Sequence, residues 1–147
     1  MNRLGITEIL LIEDNHDEAS LIAKILENCT HNINITCIED GKEAMDYLYK
    51  INKYKNSKTP SLIILDLGLP NKDGREILEE IKTNNKLKHI PVVVLTNSDN
   101  GKDINDSYEH YANAYIIKST DFDKFSKDIE SFKNFWLNDA ILPSFIG

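Results

Sequence analysis

Residues 61–66 read SLIILD, a short and almost wholly apolar run that ends in the carboxylate of Asp66. Four consecutive Leu and Ile residues are typical of a strand that helices cover on both faces of a parallel sheet. Three similar runs, EILLI at 8–12, PVVVL at 91–95 and AYII at 114–117, each end beside a polar side chain. Because the carboxyl ends of parallel strands open into one crevice, the sequence predicts that these polar side chains converge.

Strand-like and helix-like segments alternate five times along the chain. The predicted strands span residues 7–13, 33–38, 61–66, 91–96 and 114–117. The second strand alternates apolar and polar residues, which suits the edge of a sheet. Alternating units of this length predict an α/β fold of the flavodoxin-like, doubly wound kind. In that fold five parallel strands lie in the order 2-1-3-4-5, with helices on both faces.

Each predicted helix carries an apolar stripe that we expect to face the core. The first helix opens at Asn15 or His16, and the next three begin near Gly41, Gly74 and Asp103. The five stripes consist of Ala19, Ile22, Ile25, Leu26 and Cys29; Ala44, Tyr47, Leu48 and Ile51; Ile77, Leu78 and Ile81; Ile104, Tyr108 and Tyr111; and Phe122, Phe125, Ile129, Phe132 and Trp136.

The overall composition limits the class of protein. A chain of 147 residues with 41 % hydrophobic content suits one domain with a single good core. Its formal net charge of −7 argues against a general nucleic-acid surface, because phosphate backbones select for Lys and Arg. The sequence shows no signal-peptide pattern and no apolar stretch near the ~20 residues that span a bilayer. We therefore expect a cytoplasmic protein that binds neither nucleic acid nor membrane.

Several other residues are interpreted as ordinary surface or core features. Cys29 and Cys37 show no metal-ligand spacing and are predicted to be free, buried or half-buried thiols. The lysines within residues 50–60 are predicted to lie in a solvated helix end and loop. Gly74 is predicted to occupy a turn that needs a positive φ. The four histidines, His16, His31, His89 and His110, are predicted to lie on the surface.

Three carboxylates at matched strand ends point to a metal site. Glu13 and Asp14 follow the first strand, and Asp66 follows the third. Carboxylates that lie this close repel one another unless a proton or cation intervenes, and Mg²⁺ is content with one or two carboxylates, waters and a phosphate oxygen. The backbone carbonyl of Gly68 could supply one more ligand. Asp66 is then free to attack phosphorus, because an aspartate can form an acyl phosphate.

The fourth and fifth strands add two groups that suit the same chemistry. Lys118 follows the fifth strand and is a compact charge able to pair with a phosphoryl oxygen. Thr96 ends the fourth strand and could donate a hydrogen bond to the same group. Phosphoryl transfer depends on positioning and charge neutralisation, so Mg²⁺, a lysine and a hydroxyl are sufficient without a histidine.

Four segments resemble the receiver domain of bacterial and archaeal two-component response regulators. They are LLIEDN (10–15), IILDLGLPNKDG (63–74), VVVLTNS (92–98) and YIIKS (115–119). The resemblance covers roughly residues 7–135. Within the family the chain is similar to the small single-domain regulators that pair with phytochrome-type sensor histidine kinases.

The resemblance implies a role for each residue of the crevice. Asp66 is the expected phosphoacceptor, Glu13 and Asp14 are the Mg²⁺-site acids, and Gly68 supplies a carbonyl to the metal. Two further residues, Thr96 and Lys118, are expected to contact the phosphoryl group. Tyr115 occupies the family's aromatic switch position, which reports phosphorylation to the face formed by the fourth helix, fifth strand and fifth helix. Such a protein is a signalling phosphoacceptor, which promotes its own phosphorylation and dephosphorylation, rather than an ordinary enzyme.

Two positions depart from the commonest receiver pattern. Ser119 follows Lys118 where a proline with a cis bond is usual, and a cis bond before serine costs ~2.5–4 kcal/mol. Whether this bond is cis or trans stays open at this point. Asn97 replaces the small residue that often follows the threonine, and its side chain could narrow access to the phosphoryl group.

The C-terminal residues bear on how the signal leaves the domain. Residues 138–147 are too few for a DNA-binding or enzymatic effector, so we expect one receiver domain over residues 1–147 with an apolar extension at 136–147, and output through a protein contact. The apolar residues of this extension are Trp136, Leu137, Ile141, Leu142, Phe145 and Ile146. Such a dense apolar terminus packs on its own domain or on another chain, and the sequence favours a homodimer contact over intramolecular packing.

Three other functions share parts of this pattern. A phosphatase or phosphomutase with an aspartyl nucleophile commonly has an acid two residues later, where this chain has Gly68. A flavin-binding electron carrier needs a phosphate loop after the first strand, where the acids Glu13 and Asp14 would repel phosphate. An interaction module that keeps the fold without depending on phosphorylation remains the serious rival, although the intact set of acids argues against it.

Overall fold

Five short strands form the centre of the molecule over the described residues, which are 5–144; Phe145 and Ile146 of the apolar extension lie outside them. In this computed structural model the strands are β1 (Thr7–Ile12), β2 (Ile33–Ile38), β3 (Leu62–Leu65), β4 (Val92–Thr96) and β5 (Ala114–Ile117). All pairings are parallel, and the strand order is β2-β1-β3-β4-β5. The predicted doubly wound, flavodoxin-like fold is therefore confirmed.

Five α-helices connect and follow the strands. They are α1 (His16–Leu26), α2 (Gly41–Tyr49), α3 (Gly74–Thr83), α4 (Gly101–Glu109) and α5 (Phe122–Lys133). A side chain that accepts a hydrogen bond from a backbone N–H of the first turn precedes each helix, as is typical of Asn and Asp at this position. These capping residues are Asn15, Asp40, Asp73, Asn100 and Asp121. The cap at Asn100 makes α4 begin at Gly101, two residues before the predicted start at Asp103.

The sheet separates two apolar layers because successive side chains of a strand point to opposite faces. In β1, Leu10 and Ile12 pack with residues of α2 and α3, whereas Ile9 and Leu11 pack with residues of α1 and α5. Side chains of β3 and β4 are buried on both faces in the same way. The continuous apolar runs in the sequence follow from this double coverage.

Some residues of the predicted apolar stripes are exposed, which corrects that prediction. Tyr108 and Tyr111 of the α4 region are 49 % and 74 % exposed, and Phe122 at the start of α5 is 66 % exposed. The only fully buried residue of α4 is Ser107, and its apolar residue Ile104 is half-buried. Helical spacing identifies apolar residues that share one side of a helix, but it cannot show that no residue between 5 and 144 covers these three.

The cysteine prediction is also corrected in part. Both thiols are free, and Cys29 is half-buried as expected, but Cys37 is exposed. Cys37 lies on β2, which is an edge strand and pairs only with β1. Side chains of an edge strand receive less cover than those of the three inner strands.

Part of the apolar extension, namely Trp136, Leu137 and Leu142, packs against its own domain. After α5 the chain continues as a π-helical segment, Asn134–Asp139, in which Leu137 is buried and Trp136 is half-buried. The Asn138 side-chain carbonyl accepts hydrogen bonds from the backbone N–H and hydroxyl of Thr30, at 3.3 and 3.1 Å. Leu137 therefore packs in its own domain and not in a homodimer contact, whereas a homodimer contact through the half-buried Trp136 stays a prediction.

Between residues 5 and 144, no helix has the combined length and apolar character needed to cross a bilayer.

Candidate functional site

The backbone ladder of the sheet continues past the strand ends and fixes the positions of the polar residues. The Asp66 N–H donates to the carbonyl of Ile12 at 3.0 Å, and the Lys118 N–H donates to the carbonyl of Thr96 at 2.7 Å. The N–H of Glu13 is held in the same way by the last residue of β2. These bonds place the polar residues together at the carboxyl ends of the strands, as the sequence predicted. The residues are Glu13, Asp66, Thr96 and Lys118.

Three acids come together at this edge. One carboxylate oxygen from each of Glu13, Asp14 and Asp66 lies within 4.8 Å of the others. Glu13 and Asp66 are buried, while Asp14 is exposed and closes the cluster on the solvent side. The cap of α1 is Asn15 rather than Asp14, so helix capping does not explain the position of the Asp14 carboxylate. A set of hard carboxylate oxygens at this spacing fits a divalent cation such as Mg²⁺.

The Lys118 ammonium is buried and lies directly against the acid cluster. Its Nζ lies 2.5 Å from Glu13 Oε1, 2.7 Å from Glu18 Oε1 and 3.2 Å from Asp66 Oδ2. An ammonium has three N–H donors, so these three carboxylates occupy all of them. The structure thus brings Lys118 and Asp66 into direct contact, as the sequence predicted.

Burial and charge act in opposite directions on the ionisation of this cluster. Burial raises the pKa of the Glu13 carboxyl above its usual range, while the hydrogen bond from Lys118 opposes the rise. Burial also disfavours the charged form of Lys118, but its bonds to Glu13 and Glu18 raise the pKa of its ammonium above the usual value. Lys118 therefore stays charged, and a cation beside Glu13 would offset the repulsion among the acids.

Glu18 is a member of the site that the sequence analysis missed. It occupies the third position of α1, where a glutamate often bonds back to the N–H of the capping residue. Here the N–H of that residue, Asn15, instead donates to Glu13 Oε2 at 3.1 Å. The Glu18 side chain is thus left to contact Lys118. The spacing from Asn15 to Glu18 is typical of a helix cap, so it does not indicate a contact with Lys118.

The loop after β3 wraps closely around Asp66. The Gly68 N–H donates to Asp66 Oδ1 at 3.3 Å, and Gly68 itself is exposed. At Gly74 an added Cβ would lie 2.2 Å from the Asp66 carbonyl oxygen and 2.6 Å from Leu67 Cα. Gly74 is therefore required by close backbone approach and not, as predicted, by a positive φ, which in this loop belongs to Asn71 at 66°.

Thr96 and Tyr115 connect the crevice to the surface of α4 and β5. Thr96 is buried at the end of β4, and Tyr115 lies half-buried in the middle of β5. The Tyr115 hydroxyl donates to the Ser98 carbonyl at 2.8 Å, which attaches the aromatic ring to the loop after β4. The bond between Lys118 and Ser119, left open by the sequence, is trans.

An ion-pair network continues from that loop to α3. The Ser98 hydroxyl donates to Asp103 Oδ2 at 2.6 Å, and Arg75 donates to both oxygens of Asp103 through Nε and a terminal nitrogen, each at 2.8 Å. Arg75 also donates to the cap of its own helix, Asp73. The first turn of α4 is thereby bound to the first turn of α3. No motif in the sequence predicted this network, because its members are separated by up to 30 residues.

The fold and the site define a class: a flavodoxin-like α/β domain with an acidic crevice, able to hold a divalent cation beside a buried aspartate and lysine. The family model described as the response regulator receiver domain matches residues 9–130. The chain therefore belongs to the response regulator receiver family, and the resemblance noted in its sequence is confirmed.

Curated relatives agree with this family. The chain is 43 % identical over 136 residues to response regulator Rcp1 of Synechocystis sp., and the match covers 92 % of each protein. It is 39 % identical over 129 residues to the probable methanogenesis regulatory protein FilR2 of Methanothrix harundinacea, with 88 % of this chain and 83 % of that protein covered. The similarity thus extends over nearly the whole of both relatives.

Solved structures of two response regulators show the same fold. The Mn²⁺-bound form of Rcp1 superimposes with a TM-score of 0.92 at 43 % identity, covering 94 % of this chain and 99 % of that one. The phosphorylated cyanobacterial phytochrome response regulator RcpA superimposes with a TM-score of 0.91 at 44 % identity, covering 95 % and 100 %. The predicted similarity to phytochrome-associated regulators is confirmed by these neighbours.

Proposed function

We propose that this receiver domain works as a single-domain response regulator, which accepts a phosphoryl group on Asp66 from a sensor histidine kinase. The observation that carries the proposal is the 3.2 Å contact between Lys118 Nζ and Asp66 Oδ2, opposite the cluster of Glu13 and Asp14. A buried aspartate between a fixed cation and a cation-holding cluster is suited to carry added negative charge.

The chemical step needs few protein groups. One oxygen of Asp66 attacks phosphorus, the phosphorus–nitrogen bond to the kinase histidine breaks, and the electron pair returns to the imidazole. When bound, Mg²⁺ neutralises charge on the transferring phosphoryl oxygens. Glu13 and Asp14 would hold that ion together with Asp66 and the Gly68 carbonyl. Lys118 and the Thr96 hydroxyl would pair with phosphoryl oxygens on the other side.

The signal would leave through the surface near Tyr115. A phosphoryl group that draws Thr96 toward Asp66 would change the space beside Tyr115, whose hydroxyl bonds to the loop after β4. Phosphorylation then shifts a two-state equilibrium of the surface made by α4, β5 and α5, which we call the α4–β5–α5 face. A protein partner that binds one state of this face would read the signal.

The partners follow from the similarity and from the surface. The resemblance to the phytochrome response regulator RcpA supports a phytochrome-type histidine kinase upstream. On the α4–β5–α5 face several apolar side chains are exposed, which supports a homodimer as one form of the protein. These are Tyr108, Ile117 and Phe135, which line one open groove there. We propose that the whole chain forms one receiver domain, with residues 136–147 as its extension, and that the protein acts in the cytoplasm. We expect it to bind neither nucleic acid nor membrane and to serve as a phosphoacceptor rather than as an ordinary enzyme.

The proposal is tested by labelling the purified protein with radioactive acetyl phosphate in the presence of Mg²⁺. We expect one acid-stable, alkali-labile label per chain, which chelation of the metal prevents. Asp66→Asn should abolish it, because the amide is a poor nucleophile. Asp17→Asn, which removes an exposed acid at the same end of the sheet, should label like the parent.

The outcomes separate the proposal from its rival. An unlabelled parent protein, or undiminished labelling of Asp66→Asn, would contradict the assignment of Asp66. The first of these results would favour an interaction module that keeps the fold without using phosphate. Transfer from a purified phytochrome-type kinase, compared with a histidine kinase of another sensor class, then tests the upstream partner.

A further inference from the structure

Glu18 contacts the lysine of the site, and neither the family resemblance nor the sequence motif assigns it a role. Its Oε1 lies 2.7 Å from Lys118 Nζ, closer than Asp66 Oδ2 at 3.2 Å. The contact joins α1 to the end of β5 across 100 residues of sequence. Glu18 is not one of the three acids whose oxygens cluster within 4.8 Å. Glu18 is therefore placed to contact Lys118 and not to bind the divalent cation.

The local structure keeps the Glu18 carboxylate in this place. Its own N–H donates to the Asn15 side chain at 3.0 Å, which fixes the first turn of α1. The Asn15 N–H, the usual partner of a glutamate at this position, is taken by Glu13 Oε2. A carboxylate in the first turn of a helix is also favoured by the helix dipole. The side chain thus has one strong partner left, the Lys118 ammonium.

Two of the three N–H groups of the ammonium fix its position, and the third faces the phosphoacceptor Asp66. Glu13 and Glu18 take one N–H each, and the third points to Asp66. A long lysine side chain has considerable rotamer freedom, and fixing it before reaction removes an entropic cost from the step that uses it. Without Glu18, the ammonium keeps only Glu13 and Asp66 as partners, and its third N–H is free to turn away from Asp66.

We propose that Glu18 is a positioning residue, which holds the Lys118 ammonium so that its third N–H faces the oxygen of Asp66 that phosphorus approaches. The inference rests on the proposed phosphorylation of Asp66 and adds a residue to it. A phosphoryl oxygen takes over the donor that Asp66 uses in this structure, while the bonds to Glu13 and Glu18 persist. This arrangement stabilises the transition state, because the Lys118 N–H that will bind a phosphoryl oxygen is oriented before the phosphoryl group arrives.

The test compares Glu18→Ala and Glu18→Gln with the parent in acetyl phosphate labelling at saturating Mg²⁺. For Glu18→Ala we expect the maximal rate to fall about tenfold, with a smaller change in the acetyl phosphate concentration for half-maximal rate. Glu18→Gln keeps an oxygen acceptor for Lys118 and should recover most of the rate. The Mg²⁺ dissociation constant, measured by calorimetry, should change less than about twofold in both variants because Glu18 lies outside the acid cluster.

Asp17→Ala is the matched control, since it removes an exposed acid from the same turn of α1 and should label at the parent rate. An unchanged rate in Glu18→Ala would overturn the positioning role, and so would a faster rate, which would mean that Glu18 only repels the phosphoryl group. An equal loss of labelling rate in Asp17→Ala would mean that any acid in the first turn of α1 acts through the helix dipole. That result would also overturn the positioning role. In all three cases a labelled parent and an unlabelled Asp66→Asn leave the proposed function standing.

Discussion

At the scale of single residues, two glycines occupy equivalent positions in different surroundings. Gly74 and Gly101 are each the first residue of a helix, and each follows a capping side chain. A Cβ added at Gly74 would meet backbone atoms of Asp66 and Leu67, whereas at Gly101 it would meet nothing within 4 Å. The start of α3 is therefore built against the phosphoacceptor loop, and only a residue without a side chain allows that contact.

Substitution of these glycines should separate the two situations. Gly74→Ala should lower the free energy of unfolding by about 3 kcal/mol, because the clash is with backbone and cannot be relieved by a rotamer change. Gly101→Ala should leave it unchanged or raise it by up to about 1 kcal/mol, since alanine restricts the unfolded chain more than glycine does. Urea unfolding followed by circular dichroism measures both. Equal effects in the two variants would contradict the close-approach argument.

The residues that sequence alone could and could not identify differ in how they reach the site. Asp66 and Lys118 directly follow β3 and β5, so the direction of the strands was enough to place them in one crevice. Glu18 reaches the crevice from a helix. Its side chain contacts Lys118 because the Asn15 N–H, its usual partner, is already bonded to Glu13. Gly74 could be recognised as a necessary glycine, but the wrong cause was assigned because backbone packing between loops leaves no local pattern.

At the scale of secondary-structure elements, α4 is attached differently from the other four helices. Helices α1, α2, α3 and α5 each bury several apolar side chains, but α4 buries only Ser107. Its first turn is instead bound to α3 through the pair of Arg75 with Asp103. Its periodicity predicted a helix correctly, yet it could not reveal that no apolar side chain of the helix is fully buried or that an ion pair joins it to α3.

Removing Arg75 should therefore loosen α4 selectively. In Arg75→Ala we expect amide hydrogen exchange in residues 98–110 to accelerate roughly tenfold, since local opening no longer breaks a two-bond ion pair. Global unfolding should change little, because the core layers are untouched. Lys102→Ala is the control: its ion pair with Asp106 lies within α4 and does not join two helices. Equal acceleration in both variants would show that Arg75 does not hold α4.

The contribution of Arg75 should depend on pH in a defined direction. Hydrogen bonds from Arg75 and from Ser98 hold the pKa of Asp103 below its usual value. A carboxyl with a lowered pKa in the folded state contributes stability that is complete above the unfolded value, about 3.9, and is lost as the pH falls below it. The ratio of exchange rates between Arg75→Ala and the parent should thus be constant from neutral pH to about 5 and approach one in stronger acid.

At the scale of the whole molecule, the C-terminal extension and the α4–β5–α5 face differ in how far the domain covers their apolar side chains. In the described part of the extension, Leu137 is buried and Asn138 is bonded to Thr30, while Ile141 is exposed. The α4–β5–α5 face keeps its exposed aromatic and aliphatic side chains, and β5 is an edge strand. Deleting the extension would therefore damage the core as well as any interface. A substitution on the exposed face is the cleaner test of self-association.

Ile117 and Ile51 offer a matched pair for that test, because they are 42 % and 44 % exposed but lie on different parts of the surface. If the α4–β5–α5 face forms the homodimer, Ile117→Lys should give a monomer, since a twofold axis would place two like charges in an apolar contact. Ile51→Lys, beyond the end of α2, should leave the dimer intact. Sedimentation velocity, with and without acetyl phosphate and Mg²⁺, measures the outcome, and undiminished labelling of Ile117→Lys confirms that the site beside it is unharmed. A dimer that survives Ile117→Lys and has the parent's dissociation constant would place self-association elsewhere and leave this face for a different protein partner.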